Sequence, residues 1–385
     1  MVRSINNPGR SIEISGFCSP AFAAVKDAFY KNFTARGEVG ASVSVTVRGE
    51  TVVDLWGGNT DAAQKEPWQK DTICCVQSVS KEITALAFHM AVDRGLIDVD
   101  ELVTTYWPEF GQAGKEKTKV RWLLDHRCGI PIVAGATPGM AYDWTRMTEG
   151  LAATAPLWEP GTTPCYHSAN YGFIIGEVLR RVTNRSVGEF LRKEIAEPLG
   201  IDCVIGLRDE EDARVATFLD KEDHISQAWI DEGTNIFAKS WKIFWDDEDF
   251  NSREWRRAEI PSVNAHTNAR ALARICGVLA CGGAIDGVRL LSAAAVERAA
   301  EVQWTGKDVQ DRLLSLSLGF LMPTENFPST GPRTIGMMGA GGATAFADPD
   351  LHLGFGYSMN AMDPAQSGRQ RPQALVAALN SCLGR

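Results

Sequence analysis

The chain has 385 residues, 44% hydrophobic and 23% charged, with a net charge of −9. That balance excludes long disorder and leaves enough apolar side chains for a sizeable core. No basic footprint for nucleic acid shows in the totals or as a Lys/Arg cluster.

The opening residues hold no apolar core segment, so no signal peptide is expected. No stretch approaches the ~18 apolar residues of a membrane span. Residues 20–36 put Val25, Phe29 and Phe33 on one face, which predicts a helix. The strict alternation Ala41-Ser-Val-Ser-Val-Thr-Val, the turn Arg48-Gly49-Glu50 and Thr51-Val-Val-Asp-Leu-Trp predict a β-hairpin. Residues 78–94 read as a helix apolar nearly all round, stopped by Gly95. Helices are predicted over 120–126 and 170–182, and the capping pattern Ser186-Val-Gly-Glu189 starts another. Residues 208–256 are the least regular. Their acidic run Asp246-Asp247-Glu248-Asp249 lies among Phe244, Trp245 and Phe250. It reads first as a solvated loop, with a substrate lid as the alternative. Helices over 267–279 and 292–301 follow, then strands near 316–321, 343–347 and 354–359, and a helix over 372–383. Strands at both ends and helices between them suit an α+β fold. One antiparallel sheet, flanked by helices, is built from about 1–77 and 257–385. An all-helical lobe of about 78–256 is inserted into it, within one unit of 1–385.

Ser78-Val79-Ser80-Lys81 is an S-x-x-K tetrad at the start of the long buried helix. A serine there is first of all a helix N-cap. Lys81 lies one turn in, where the helix dipole and desolvation both disfavour its charge. That makes it a usable base toward the Ser78 hydroxyl, and the Ser78 N–H can face an oxyanion. Tyr166 follows the turn Glu159-Pro160-Gly161 and is either a core aromatic or a phenol ionised more easily beside a cationic lysine. His167 is a further base candidate, though an extended segment would point it away from Tyr166. The cluster Gly336-Met337-Met338-Gly339-Ala340-Gly341-Gly342 matches no phosphate loop and fits a strand edge open to a ligand. No G-x-S-x-G, H-E-x-x-H or C-x-x-C is present, so neither an α/β-hydrolase elbow nor a metal site is expected. The nine cysteines are scattered, which reads as reduced thiols in a cytoplasmic protein.

These motifs, with Val53-Asp-Leu-Trp-Gly-Gly58, Tyr106-Trp-Pro-Glu-Phe110, Leu123-Leu-Asp-His126, Trp158-Glu-Pro-Gly-Thr162, Ala280-Cys-Gly-Gly283, Leu290-Leu-Ser292 and Phe346-Ala-Asp-Pro349, run in order from about Glu38 to Asn360. The sequence resembles the serine β-lactamase and penicillin-binding-protein superfamily, and within it the family VIII carboxylesterases. The resemblance implies a β-lactamase/transpeptidase-like fold and a cofactor-free mechanism. It makes Ser78 the acylated nucleophile, Lys81 its base and Tyr166 the proton relay. It places the third motif on Met337-Met338-Gly339, with backbone N–H groups of Ser78 and Ala340 as the oxyanion hole. Two positions depart from the pattern. Tyr-x-Asn is replaced by Tyr166-His167-Ser168, and Met337 stands where a lysine or histidine would hold a carboxylate. A thioether cannot do that. The expected substrate is therefore a small, neutral, fairly hydrophobic ester, met by His167, Ser168, Met337, Met338, Gly339, Trp241 and Trp245. Acyl transfer to a natural-product alcohol, with Trp241, Trp245 and Trp255 forming a dry cleft, is the alternative. A β-lactamase or D-aminopeptidase ranks below these, and a non-catalytic relative last.

Overall fold

The computed structural model of the chain describes residues 12–219, 236–245, 249–362 and 369–385. Much of the expected lid, including Asp246, Asp247 and Glu248 of the acidic run, lies outside the described residues. Six strands form the central sheet: β1 (Ile14–Cys18), β2 (Gly40–Val47), β3 (Glu50–Gly58), β4 (Ile335–Met338), β5 (Thr344–Asp348) and β6 (Leu353–Met359). Their spatial order is β1-β3-β2-β6-β5-β4, and every neighbouring pair is antiparallel. The two ends of the chain therefore meet in the middle of the sheet, where Val43 lies opposite Tyr357.

The alternation in β2 sorts its side chains between two helical layers. Val43 and Val45, with Val53, Leu55, Phe355 and Tyr357, pack with Val25 and Phe29 of α1 (Ala23–Ala35) and Leu375 and Leu379 of the C-terminal helix Gln370–Cys382. The hydroxyl face is buried too, under the helix Ala269–Ala280. Its polar atoms are paired there. Ser42 Oγ accepts from Ala269 N–H at 3.1 Å, and Thr46 Oγ1 donates to Ala273 O at 3.2 Å. The helix lies so close that a Cβ on Gly356 would stand 2.3 Å from Ala269 O. Small and hydroxyl residues thus let a helix sit directly on the sheet.

The tetrad helix, α2 (Val79–Asp93), is buried from Val79 to Val92. It packs against α3 (Tyr171–Thr183) and against β4, bringing the helical region and the sheet edge together. The expected strand over 316–321 is instead the end of a strand, Leu313–Leu316, followed by a tight return. Gly319, at φ 95°, allows that return, and Leu316 bridges Leu321. The Ser186 capping pattern is half made. Ser186 Oγ accepts from Glu189 N–H at 3.1 Å, and its own hydroxyl donates to Glu259 at 2.6 Å.

One buried ion pair ties the C-terminal helix to the start of β2. Arg371 meets Glu38 at 3.2 Å and also donates to the carbonyls of Arg36, Gly37 and Ala361. Removing one partner leaves the other charge buried, which costs about 3–5 kcal/mol. Arg371→Ala should lower unfolding stability by that amount in urea titration, with the m-value unchanged.

Candidate active site

Ser78 sits where the chain turns from an extended segment into α2. Gln77 before it takes a left-handed φ of 48°, while Ser78 is already helical and its side chain makes no capping hydrogen bond. The capping reading therefore fails. Ser80 does the local structural work, its Oγ accepting from Ala265 N–H at 2.9 Å. The Ser78 hydroxyl stays available and half-buried.

Lys81 is fully buried, one turn along the same face. Its Nζ lies 3.1 Å from Ser78 Oγ, 2.7 Å from Ser168 O and 2.9 Å from Ser262 O. Burial holds its pKa well below the usual lysine range. The two carbonyls can only accept. A neutral amine has two hydrogens, and spending both on the carbonyls turns its lone pair toward the Ser78 hydroxyl. Ser262 escaped the sequence reading because a backbone carbonyl leaves no residue-type signal.

The Tyr166 ring lies 4.9 Å from Lys81 Nζ, and its hydroxyl lies near that of Ser78 and 4.0 Å from Met337 Sδ. Burial pushes the phenol up to about 12, outweighing the help from Ser78 and Arg312. This corrects the expectation of an easily ionised phenol, since Lys81 beside it is itself held toward neutrality. Arg312 was not singled out in the sequence. It is engaged by the buried Asp308 at 2.6 Å.

The remaining candidates divide. Met337 projects to the face that carries Tyr166. Met338 alternates to the other face of β4 and packs with the α1 layer. His167 is buried behind Tyr166, its Nε2 3.2 Å from Cys128 Sγ, with a pKa held down to about 3. It is placed as a wall of the segment rather than a base. Ser168 is buried as well, its Oγ accepting from Trp241 Nε1–H at 3.0 Å. Trp241 thereby roofs the Tyr166 segment. Trp245 is largely exposed and stacks on Tyr142 at 6.3 Å, and Trp255 is core, packed on Phe244 and Phe250. Trp255 therefore lines no cleft. Gly339 N–H donates to Ala343 O at 2.7 Å. Among the described residues, neither the Ser78 nor the Ala340 N–H donates to another group of the chain. Amides without a partner in the chain can donate to a developing negative charge.

Cys75 and Cys165 flank this site, but burial pushes their thiols up to about 11 and about 12, so neither is a thiolate at neutral pH. Among the described residues no cluster of His, Cys, Asp or Glu is arranged to hold a metal, and no helix is long and apolar enough to cross a membrane.

A family model described as Beta-lactamase matches residues 27–380. The chain belongs to the Beta-lactamase family. Its antiparallel sheet and packed helices are the β-lactamase/transpeptidase-like form of the α+β class. The esterase/beta-lactamase LipL of Mycobacterium tuberculosis is 32% identical over 372 residues, which cover 94% of this chain and 86% of the relative. Two solved members of the Beta-lactamase fold lie close. A family VIII carboxylesterase has 37% identity and a TM-score of 0.86, over 96% of this chain and 100% of its own. A penicillin-binding protein homolog from Caulobacter crescentus has 36% identity and a TM-score of 0.88, over the same shares.

Proposed function

We propose that this enzyme is a serine carboxylesterase that hydrolyses esters of neutral, fairly hydrophobic acyl groups through an acyl-enzyme on Ser78. The observation that carries the reading is the Lys81 amine, buried and held by two carbonyls with Ser78 Oγ as its third neighbour. The esterase relatives support the reaction class.

In acylation the Ser78 proton passes to Lys81 Nζ as Oγ bonds to the ester carbonyl carbon. The oxygen charge that develops faces the Ser78 and Ala340 amides. The tetrahedral species collapses by breaking the bond to the alcohol oxygen. That oxygen takes the Tyr166 hydroxyl proton, and the Lys81 ammonium, whose Nζ lies 4.9 Å from the Tyr166 ring, returns one to the phenolate. Water repeats the sequence in reverse, releasing the acid and restoring Ser78. Tyr166 acts here as a protonated hydroxyl, in keeping with its raised pKa. Tyr166→Phe should lower kcat by about 10²–10⁴-fold with KM nearly unchanged, read by steady-state kinetics.

The substrate preference rests on Met337, whose thioether stands beside Tyr166 and offers no charge. Arg312, the nearby cation, is already paired with Asp308. The catalytic unit in this reading is a lobe of about 1–77 and 257–385 facing a helical lobe of about 78–256. Trp241 belongs to the cover. A panel of p-nitrophenyl esters should favour acetate and butyrate over the anionic hemisuccinate by about tenfold or more in kcat/KM. Preference for the anion, or faster turnover of nitrocefin, overturns the neutral-ester assignment. Added alcohols that divert butyrate into new esters at the expense of the acid would make acyl transfer the activity.

A further inference from the structure

His126 is the second histidine in the chain and was assigned no part in the reaction by the sequence. It follows the short helix Arg121–Leu124 and Asp125, at a φ of 64°. Arg127 N–H closes back on Trp122 O at 2.9 Å, so His126 occupies the left-handed position that ends a helix. Glycine holds that position at lower cost, although histidine tolerates it better than most side chains.

The ring is enclosed by its neighbours. Its Nδ1 accepts from His167 N–H at 3.1 Å, and its own carbonyl accepts from Cys165 N–H at 3.1 Å. The two residues flanking Tyr166 are thus both fastened to one residue. The imidazole then lies against the Tyr166 ring at 5.0 Å, with Tyr171 at 4.7 Å and His167 at 5.5 Å on its other sides. It is 2% exposed. An Nδ1 that accepts cannot carry a proton, so the ring is the neutral Nε2–H form. Burial, then His167 and Lys81, holds its pKa well below the ordinary histidine range and keeps it so.

We infer that His126 is the positioning residue for Tyr166, a two-point clamp on the backbone either side of it and a ring support behind it. This rests on the reading of Tyr166 as proton relay. The clamp itself does not depend on that reading, and the two can be tested apart. His126→Gly keeps the left-handed backbone and deletes the ring. His126→Asn also keeps that backbone and restores an acceptor near the place of Nδ1.

Steady-state kinetics on p-nitrophenyl butyrate should show kcat down by about tenfold to a hundredfold in His126→Gly, with KM nearly unchanged, as small misplacements of catalytic groups cost. His126→Asn should recover most of the loss. Amide hydrogen exchange, resolved by mass spectrometry, should show faster exchange at His167 in the glycine variant and near-normal exchange in the asparagine variant, while Cys165, whose acceptor is the retained carbonyl of residue 126, stays protected in both. A general loss of structure would not be repaired by one acceptor atom. Full kcat in His126→Gly, unchanged exchange at His167, or an asparagine variant as damaged as the glycine one overturns the clamp. Should His126→Gly not fold, His126→Asn is compared with His126→Leu, which has no acceptor, and equal kcat in that pair overturns it. Tyr166→Phe with full activity would instead overturn the relay, and exchange at His167 would then decide the clamp by itself.

Discussion

Ser78→Ala should lower turnover of p-nitrophenyl butyrate by about 10⁴-fold or more, leaving only what the amide pair and substrate binding provide. The size follows from the loss of the covalent route. Without Oγ, Lys81 has nothing to deprotonate and Tyr166 has no intermediate to serve. Binding should survive, because the side chain fills little space and makes no cap. A fluorophosphonate probe gives a second readout. It should label wild type at Ser78 and leave the alanine variant unlabelled, as mapped by peptide mass spectrometry. Substantial labelling elsewhere, with activity retained, would overturn the assignment. Cys75 and Cys165 make the mapping necessary. A thiol reagent could block the site sterically through either of them without any cysteine acting as nucleophile.

Lys81 carries the second large effect. Lys81→Met should lower kcat by about 10²–10⁴-fold by removing the base. Lys81→Arg should fail to a similar degree although it keeps a cation, because a guanidinium does not give up its proton in a protein. That pair separates a basic role from an electrostatic one. The pH profile tests the same point in the unaltered enzyme. Lys81 must be neutral to accept the Ser78 proton, and burial lowers its pKa from the ordinary lysine range. Activity should therefore rise with pH as Lys81 loses its proton, then level off well before pH 10.5. Tyr166, at about 12, stays protonated across that range and imposes no alkaline fall within it. A flat or acid-optimal kcat/KM profile between pH 5 and 9 would contradict the scheme.

What the sequence disclosed here was mostly periodic or covalently local. The β2–β3 hairpin showed in its alternation, α2 in its apolar run, and the tetrad spacing put Ser78 and Lys81 on one face of one turn. Tyr166 was reached through the resemblance, and the structure brings it to the same pair. The misses share a cause. Ser262 and Ser168 hold Lys81 through backbone carbonyls, and a carbonyl is the same in every residue. β1 is a short edge strand without a clean alternation, so tertiary pairing decides it. Trp255 and Trp241 belong to one aromatic-rich stretch, yet one is core and the other reaches Ser168, a difference set by packing between distant segments. The Tyr166 ionisation was misjudged because proximity to a lysine was weighed without the burial that neutralises both groups.

The meeting of chain ends in the sheet also dictates when the enzyme can come into being. Ser42 and Ser358 touch across 316 residues of sequence. At roughly 5–20 residues per second, β2 leaves the ribosome about 15–60 s before the strand that will lie beside it. During that interval the hairpin has no inner neighbour, and a two-stranded hairpin is marginal by itself. Its Val43, Val45 and Val53 face is exposed to any other nascent chain, so holdase protection during synthesis should matter more here than for a fold of local contacts. A message truncated before Leu353 would still encode Ser78, Lys81 and Tyr166. Its product would lack the strand that sets Met337–Ala340 against them, and no fraction of the activity should appear until translation is nearly complete.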